Sequence, residues 1–223
     1  MYAIIIPSIP KKRNTKEKMQ YLELKTTLKD FPVFSIKDIE KVDLSFHKQR
    51  LSEWQKKNYV KKIRQGFYIF SDLKITEQIL FAIANRIHKP SYISLEMALS
   101  IYGLIPESVY SVTSVTSLKA RTWKTPIGSF IYRHISPEFM FGYKLQEYDG
   151  HYYQIAEIEK AILDYLYFNS KIADEESFKE MRFNAIEFNK KIDLEKFNRY
   201  LVAFDNKALT KRVKNFLKYI SHA

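Results

Sequence analysis

Residues Phe34–Phe70, FSIKDIEKVDLSFHKQRLSEWQKKNYVKKIRQGFYIF, read as a helix, a tight turn, a second helix and a short basic hairpin. The second helix is the informative one. Ser45 is its expected N-cap, because a serine oxygen can accept from the free N–H groups of a first turn, and Asp43 beside it favours the positive helix end. His47, Leu51, Trp54 and Asn58 follow at i, i+4, i+7 and i+11, which places them on one face. Leu51 and Trp54 anchor that face in a core. Gln49 and Lys56 point away from it, flanked by Ser45, Ser52 and Glu53. Tyr59–Ile63 and Phe67–Phe70 then read as two strands joined around Arg64-Gln65-Gly66, where Gly66 supplies the positive φ that such turns use.

A helix with a polar outer face near its N-terminus is what a DNA major groove admits. The hairpin carries Lys61, Lys62 and Arg64 at a strand end and tip, where a phosphate backbone can be met. Helix, turn, helix and basic wing in this order spell a winged helix-turn-helix. On that reading Gln49, Ser52, Lys56 and Ser45 are the base-reading candidates, and Lys48, Arg50, Lys57, Lys61, Lys62 and Arg64 the phosphate ligands. No single residue among them is diagnostic. Helices followed by hairpins occur in many folds, and a lysine-rich helix is usually a solvated face.

Charge adds weight to the DNA reading. The 223 residues hold 37 Lys+Arg against 25 Asp+Glu, a formal net charge of +12. Of these, 17 basic and 8 acidic residues lie in residues 1–74, leaving 20 and 17 for the rest. The excess therefore sits with the proposed wing and helices, where phosphate attraction would use it. A hydrophobic content of 46% suffices for one large core or two small ones. The lack of cysteine excludes disulfides and thiolate metal sites and suits a reducing cytoplasm. Ala3–Ile6 is too short an apolar run for a signal peptide and is interrupted by Pro7. No segment approaches the ~20 apolar residues of a membrane-spanning helix. A soluble cytoplasmic protein without a membrane partner is the expectation.

In chain order, residues 1–14 read as a loose basic arm, with Pro7, Pro10 and the run Lys11-Lys12-Arg13. A helix is expected over Thr15–Leu28, with Met19, Leu22 and Leu28 inward and Pro32 as its bound. Val33–Ile36 is a short strand that pairs with the wing, and residues 15–74 form the winged helix-turn-helix domain. Residues 75–223 form a second domain. In it Ile79, Leu80, Ile83, Ala84 and Ile87 make one apolar helix face, and Tyr92-Ile93 a short strand. Ser94 caps a helix ended by Gly103 in a left-handed conformation. Ser108–Ser117, rich in Val, Thr and Ser, is a strand buried on both faces. Lys119-Ala120-Arg121-Thr122-Trp123-Lys124 reads as a basic loop. Ser129–Ile135, Met140–Gln146 and His151–Ile155 read as strands, the last two joined by the hairpin signal Asp149-Gly150. Glu157–Phe168 is a helix, and the tail is helical in three pieces broken near Asn189 and Asp205-Asn206. Its last piece aligns Lys207, Lys211, Lys214 and Lys218 at i, i+4, i+7 and i+11. With Lys119, Arg121 and Lys124, these form a second basic patch that suits a phosphate backbone, an acidic partner or plain solvent. The whole is α+β: a winged helix-turn-helix followed by a mixed sheet of four or five strands with packed helices and a helical C-terminal tail.

The blocks PSYISLEMALSIYGLIPE, SVTSVT, TPIGSFIYRHI and AEIEKAILDYLY, in this order after a winged helix, resemble the AbiEi family, antitoxins of type IV toxin–antitoxin and phage abortive-infection systems. The resemblance runs from about Phe31 to Phe168; the tail after Ser170 matches only in character. It implies a repressor that binds inverted repeats in double-stranded DNA upstream of its own operon. It also implies a second domain that counters a cognate nucleotidyltransferase-like toxin, without need of a stable complex.

An enzyme is not expected. The best acidic cluster, Glu157, Glu159 and Asp164 with Lys160, fails the Glu-x-Lys test of a metal-dependent nuclease, because Ile158 stands two before Lys160. The cluster reads instead as the outer face of an amphipathic helix. His47, His88, His134, His151 and His222 show no metal-ligand spacing, and no Gly-rich phosphate loop is present. No catalytic residue, metal or cofactor is assigned. The alternative to a repressor is a winged helix that contacts RNA or an acidic protein.

Overall fold

The computed structural model describes residues 19–107 and 109–222. The predicted basic arm and the first residues of the predicted first helix lie outside the described residues. The chain is mixed α+β and divides into two compact units, the first ending at Ile79 and the second starting at Leu80.

In the first unit the elements run α1 (Tyr21–Leu28), β1 (Phe34–Ser35), α2 (Ile36–Val42), α3 (Gln49–Lys56), β2 (Val60–Arg64) and β3 (Phe67–Phe70). The strands form an antiparallel sheet in the order β1-β3-β2. Helix α1 turns inward on Leu24 and Leu28, one i, i+4 pair, and Met19 is buried just ahead of it. Leu22, expected inward, is 72% exposed, because it lies two places before Leu24 and so on another face of the helix. Helix α2 starts at a reciprocal capping box: the Asp38 N–H donates to Ser35 Oγ (3.3 Å) and the Ser35 N–H to Asp38 Oδ2 (2.8 Å).

The turn between α2 and α3 departs from the sequence reading. Ser45 is not the N-cap of α3; Lys48 occupies that position without a side-chain cap. The buried Asp43 carboxylate instead accepts from the Ser45 N–H (2.9 Å) and Ser45 Oγ (2.6 Å), a local turn that competes for the serine and delays the helix by three residues. Gly66 takes the left-handed φ of +81° at the hairpin tip, as expected. Leu24, Leu28, Phe34, Ile39, Phe46, Leu51, Trp54, Val60 and Phe70 share one core, in which Phe34 meets Phe70 at 4.8 Å and Phe46 meets Trp54 at 5.7 Å between ring centroids.

The second unit is built on a six-stranded sheet. Its elements are α4 (Glu77–Ile87, whose first three residues fall in the first unit), β4 (Ser91–Ile93), α5 (Leu95–Ile101), β5 (Ser111–Thr116), β6 (Arg121–Thr125), β7 (Gly128–His134), a 3-10 turn (Pro137–Phe139), β8 (Tyr143–Tyr148) and β9 (His151–Ala156). After these come α6 (Ile158–Phe168), α7 (Glu175–Glu180), α8 (Ala185–Lys191), α9 (Leu194–Ala203) and α10 (Lys207–Ile220). The strand order is β6-β7-β5-β4-β9-β8, with β5–β7 and β4–β9 parallel and the other pairs antiparallel. As expected, β5 is buried on both faces over Val112–Thr116.

Three expectations change here. The basic segment after β5 is not all loop: Arg121–Thr125 is an edge strand whose Trp123 packs edge-on to Tyr132 at 5.1 Å, with Arg121 and Lys124 exposed. The sheet therefore has six strands rather than four or five. The tail has four helices, not three pieces, because Asp174, Asn184, Asp193 and Asn206 each cap a new one through a side-chain oxygen.

Candidate nucleic-acid interface

Helix α3 is fixed from below by Leu51 and Trp54, which are 2% and 4% exposed. That anchorage decides which residues it presents. Gln49, Ser52, Glu53, Lys56 and Lys57 all stand in solvent, together with His47 and Lys48 ahead of the helix. Asn58, expected on the buried face, instead ends the helix at φ +54°, exposed. Lys61 and Lys62 on β2 are exposed as well. Lys56, Lys57, Lys61 and Lys62 form no ion pair among the described residues. Lys48 is partly engaged, with Nζ 3.6 Å from Glu40 Oε1.

Two of the predicted phosphate ligands are differently employed. The Arg50 guanidinium donates to the Met19 carbonyl and lies 5.2 Å over the Trp54 ring, which makes it a clamp on the chain entering α1. Arg64 lies half-buried at 4.5 Å over the Phe67 ring beside the bulge that interrupts the β2–β3 register between Lys62 and Arg64. Ser45 is exposed but committed to Asp43 through its hydroxyl. The free polar set is therefore Gln49, Ser52 and Lys56 on α3, with Lys57, Lys61 and Lys62 after it.

The second basic patch falls on separate elements. Lys119 lies in the β5–β6 link, Arg121 and Lys124 on the edge strand β6, and all three are exposed. Lys207, Lys211, Lys214 and Lys218 line the outer side of α10, a helix without an acidic residue whose inner side buries Leu209, Val213, Phe216 and Ile220.

The acidic cluster on α6 is not the solvated face that the sequence suggested. Glu159, Lys160 and Asp164 are 1%, 0% and 0% exposed. Lys160 Nζ pairs with Asp164 Oδ1 one turn on and donates to Tyr92 Oη at 2.9 Å. Asp164 Oδ2 accepts from Tyr92 Oη (3.0 Å) and Ser94 Oγ (2.8 Å). Ser94 thus begins α5 with its hydroxyl given to Asp164 rather than to the helix, contrary to the expected cap. The ammonium also lies 4.7 Å over Phe204 and 5.1 Å over Phe141. Burial pushes the Lys160 pKa down and the Asp164 pKa up, each opposed by the attraction of the other. Such a closed cage, without solvent access, binds β4, α5 and α6 together; it offers no room for a substrate. A signal for it does exist in the sequence: IEKAILDYLYF is apolar on nearly every side of the helix, which marks a buried element whose charges must pair.

Among the described residues no group of His, Asp and Glu could hold a metal ion, and no helix is long and apolar enough to cross a membrane. Neither models of known protein families nor curated protein sequences match the chain.

Proposed function

We propose that the first unit is a winged helix-turn-helix that binds DNA, with α3 as the recognition helix and the β2–β3 hairpin as the wing. The observation that carries this reading is the pairing of a rigidly anchored α3 with an exposed polar outer surface: Leu51 and Trp54 buried beneath, Gln49, Ser52 and Lys56 exposed above, and Lys61 and Lys62 exposed on the hairpin that follows. Gln49 suits adenine, whose N6–H donates to the amide oxygen while N7 accepts from the amide N–H, and Lys56 suits guanine. Lys57, Lys61 and Lys62 would hold phosphates and set the register. The element order α1-β1-α2-α3-β2-β3 supports the same reading.

The AbiEi resemblance extends it. The protein acts as a non-enzymatic autorepressor of a type IV toxin–antitoxin operon, in the cytoplasm, and its second unit counters a nucleotidyltransferase-like toxin. The test is a titration of the purified protein against the DNA upstream of its own gene and against an unrelated duplex of equal length, at near-physiological salt. Specific regulation requires a preference of ~10³ or more. Equal, weak binding to both duplexes would remove the repressor and leave a basic module for RNA or an acidic protein.

A further inference from the structure

Strand β8 ends the six-stranded sheet, and its outer side pairs with nothing among the described residues. It is a long edge without proline or bulge: six residues, YKLQEY, in continuous register with β9. Lys144–Gly150 are all exposed, and Leu145 on β8 and Tyr152 on β9 leave 59% and 60% of their surface in solvent. Glu147 faces Tyr152 and Leu145 faces Gln154, so these side chains share one face of the hairpin.

The hydrogen-bond phase of this edge can be read directly. The Glu157 N–H donates to the Gly142 carbonyl at 2.8 Å, continuing the β8–β9 register by one pair. Bonded and non-bonded pairs alternate in an antiparallel ladder. Lys144, Gln146 and Tyr148 therefore bond to β9, while Tyr143, Leu145 and Glu147 aim their N–H and C=O groups off the sheet. That outward set is symmetric about Leu145.

We propose that β8 is a homodimerisation edge, which a second copy of the chain joins antiparallel about a two-fold axis through the Leu145 pair. An axis perpendicular to the sheet maps each face onto itself, so opposed residues must have the same parity. The register centred on Leu145 meets this condition and uses every outward group: Tyr143 opposite Glu147, Leu145 opposite Leu145, and Glu147 opposite Tyr143, six hydrogen bonds in all by the alternation rule. Lys144 then faces Gln146, and no like charges stand opposed. The two copies also join the exposed Leu145 and Tyr152 side chains into one apolar row. The other sheet edge suits no such partner. β6 carries Arg121 and Lys124 and no acid, whereas β8 carries one charge of each sign, Lys144 and Glu147. A contact of this size is a modest interface, with an expected dissociation constant on the order of 10 µM.

The test uses sedimentation of the full chain over roughly 1–300 µM, which brackets that constant. Wild type passes from monomer to dimer. Leu145→Pro removes only an outward N–H, leaves the β8–β9 ladder intact, and weakens the dimer at least about tenfold. A second measurement is independent of that variant's folding. The chain has no cysteine, and a bonded antiparallel pair sets its Cα atoms about 5.5 Å apart, within disulfide reach. Leu145→Cys therefore oxidises to a covalent dimer, while Lys144→Cys, whose copies lie diagonally and too far apart, does not. A wild type that stays monomeric throughout overturns the proposal and leaves the edge to a strand of some other chain. A dimer that ignores Leu145→Pro, or that crosslinks equally at 144 and 145, overturns it too.

Discussion

Lys160 and Asp164, one helical turn apart on α6, form an ion pair with no solvent exposure, closed by Tyr92 and Ser94 at the end of β4. Two charges taken out of water repay their desolvation only while each keeps its partner. Lys160→Met leaves the carboxylate buried and unpaired, and a loss of about 3–5 kcal/mol is expected. The double variant Lys160→Met/Asp164→Leu removes both charges and should recover most of that loss. Urea unfolding in a Trp54→Phe background checks this, since Trp123 then reports on the second unit alone. A double variant no better than the single one would show that the cage, not charge balance, sets the stability.

On the proposed DNA-binding reading, the roles of α3 and the β2–β3 hairpin separate by salt and by sequence. Lys62→Ala should reduce the log–log salt slope of DNA binding by about 0.9 on every duplex, because one phosphate contact is gone. Gln49→Ala should leave that slope alone and cut discrimination at one base pair by about 1–3 kcal/mol. Titrations of both variants on cognate and mutated duplexes across several salt concentrations provide the comparison. Equal losses on all sequences would sink the division between reader and anchor.

Arg50 should behave as a structural residue. Its guanidinium is spent on the Met19 carbonyl and the Trp54 ring. Arg50→Ala is expected to destabilise the first unit by about 1–2 kcal/mol, from one charged hydrogen bond and a lost stacking contact. The salt slope should stay within error of wild type. Thermal unfolding and DNA titration on the same sample decide the matter.

Asn206 starts α10 by accepting the Leu209 N–H at 2.9 Å. Asn206→Ala removes the cap and should cost about 1 kcal/mol; Asn206→Asp, which keeps the acceptor, should cost little. Hydrogen exchange of the first α10 amides would register the fraying directly.

Helices α2 and α3 and the β2–β3 hairpin were legible because local rules governed them. Leu51 and Trp54 keep helical period, and Gly66 alone supplies the tip's positive φ. What was not legible depended on groups far apart or in competition. Ser45 is a good cap by type, yet Asp43 two residues away claims it first. Arg50 looks like a phosphate ligand until Met19, 31 positions earlier, takes its hydrogen bond. Strand β6 hid behind Arg121 and Lys124, which stand three apart and so break the period of two, since an edge strand shows water what a loop does. The α6 charges needed Tyr92 and Ser94, and no spacing rule reaches across 68–72 positions.

The strand order also sets a timetable. Strand β4 is one of the sheet's two central rungs: it can zip to β5 soon after both have left the ribosome, but its parallel partner β9 begins only at His151. Synthesis at about 5–20 residues per second leaves the other flank of Ser91–Ile93 open for several seconds. Through that interval the nascent chain holds an apolar rung with unpaired backbone, while the first unit, already complete, can fold. Slowed translation between β7 and β9 should therefore lower the soluble yield of this protein more than an equal pause before α4.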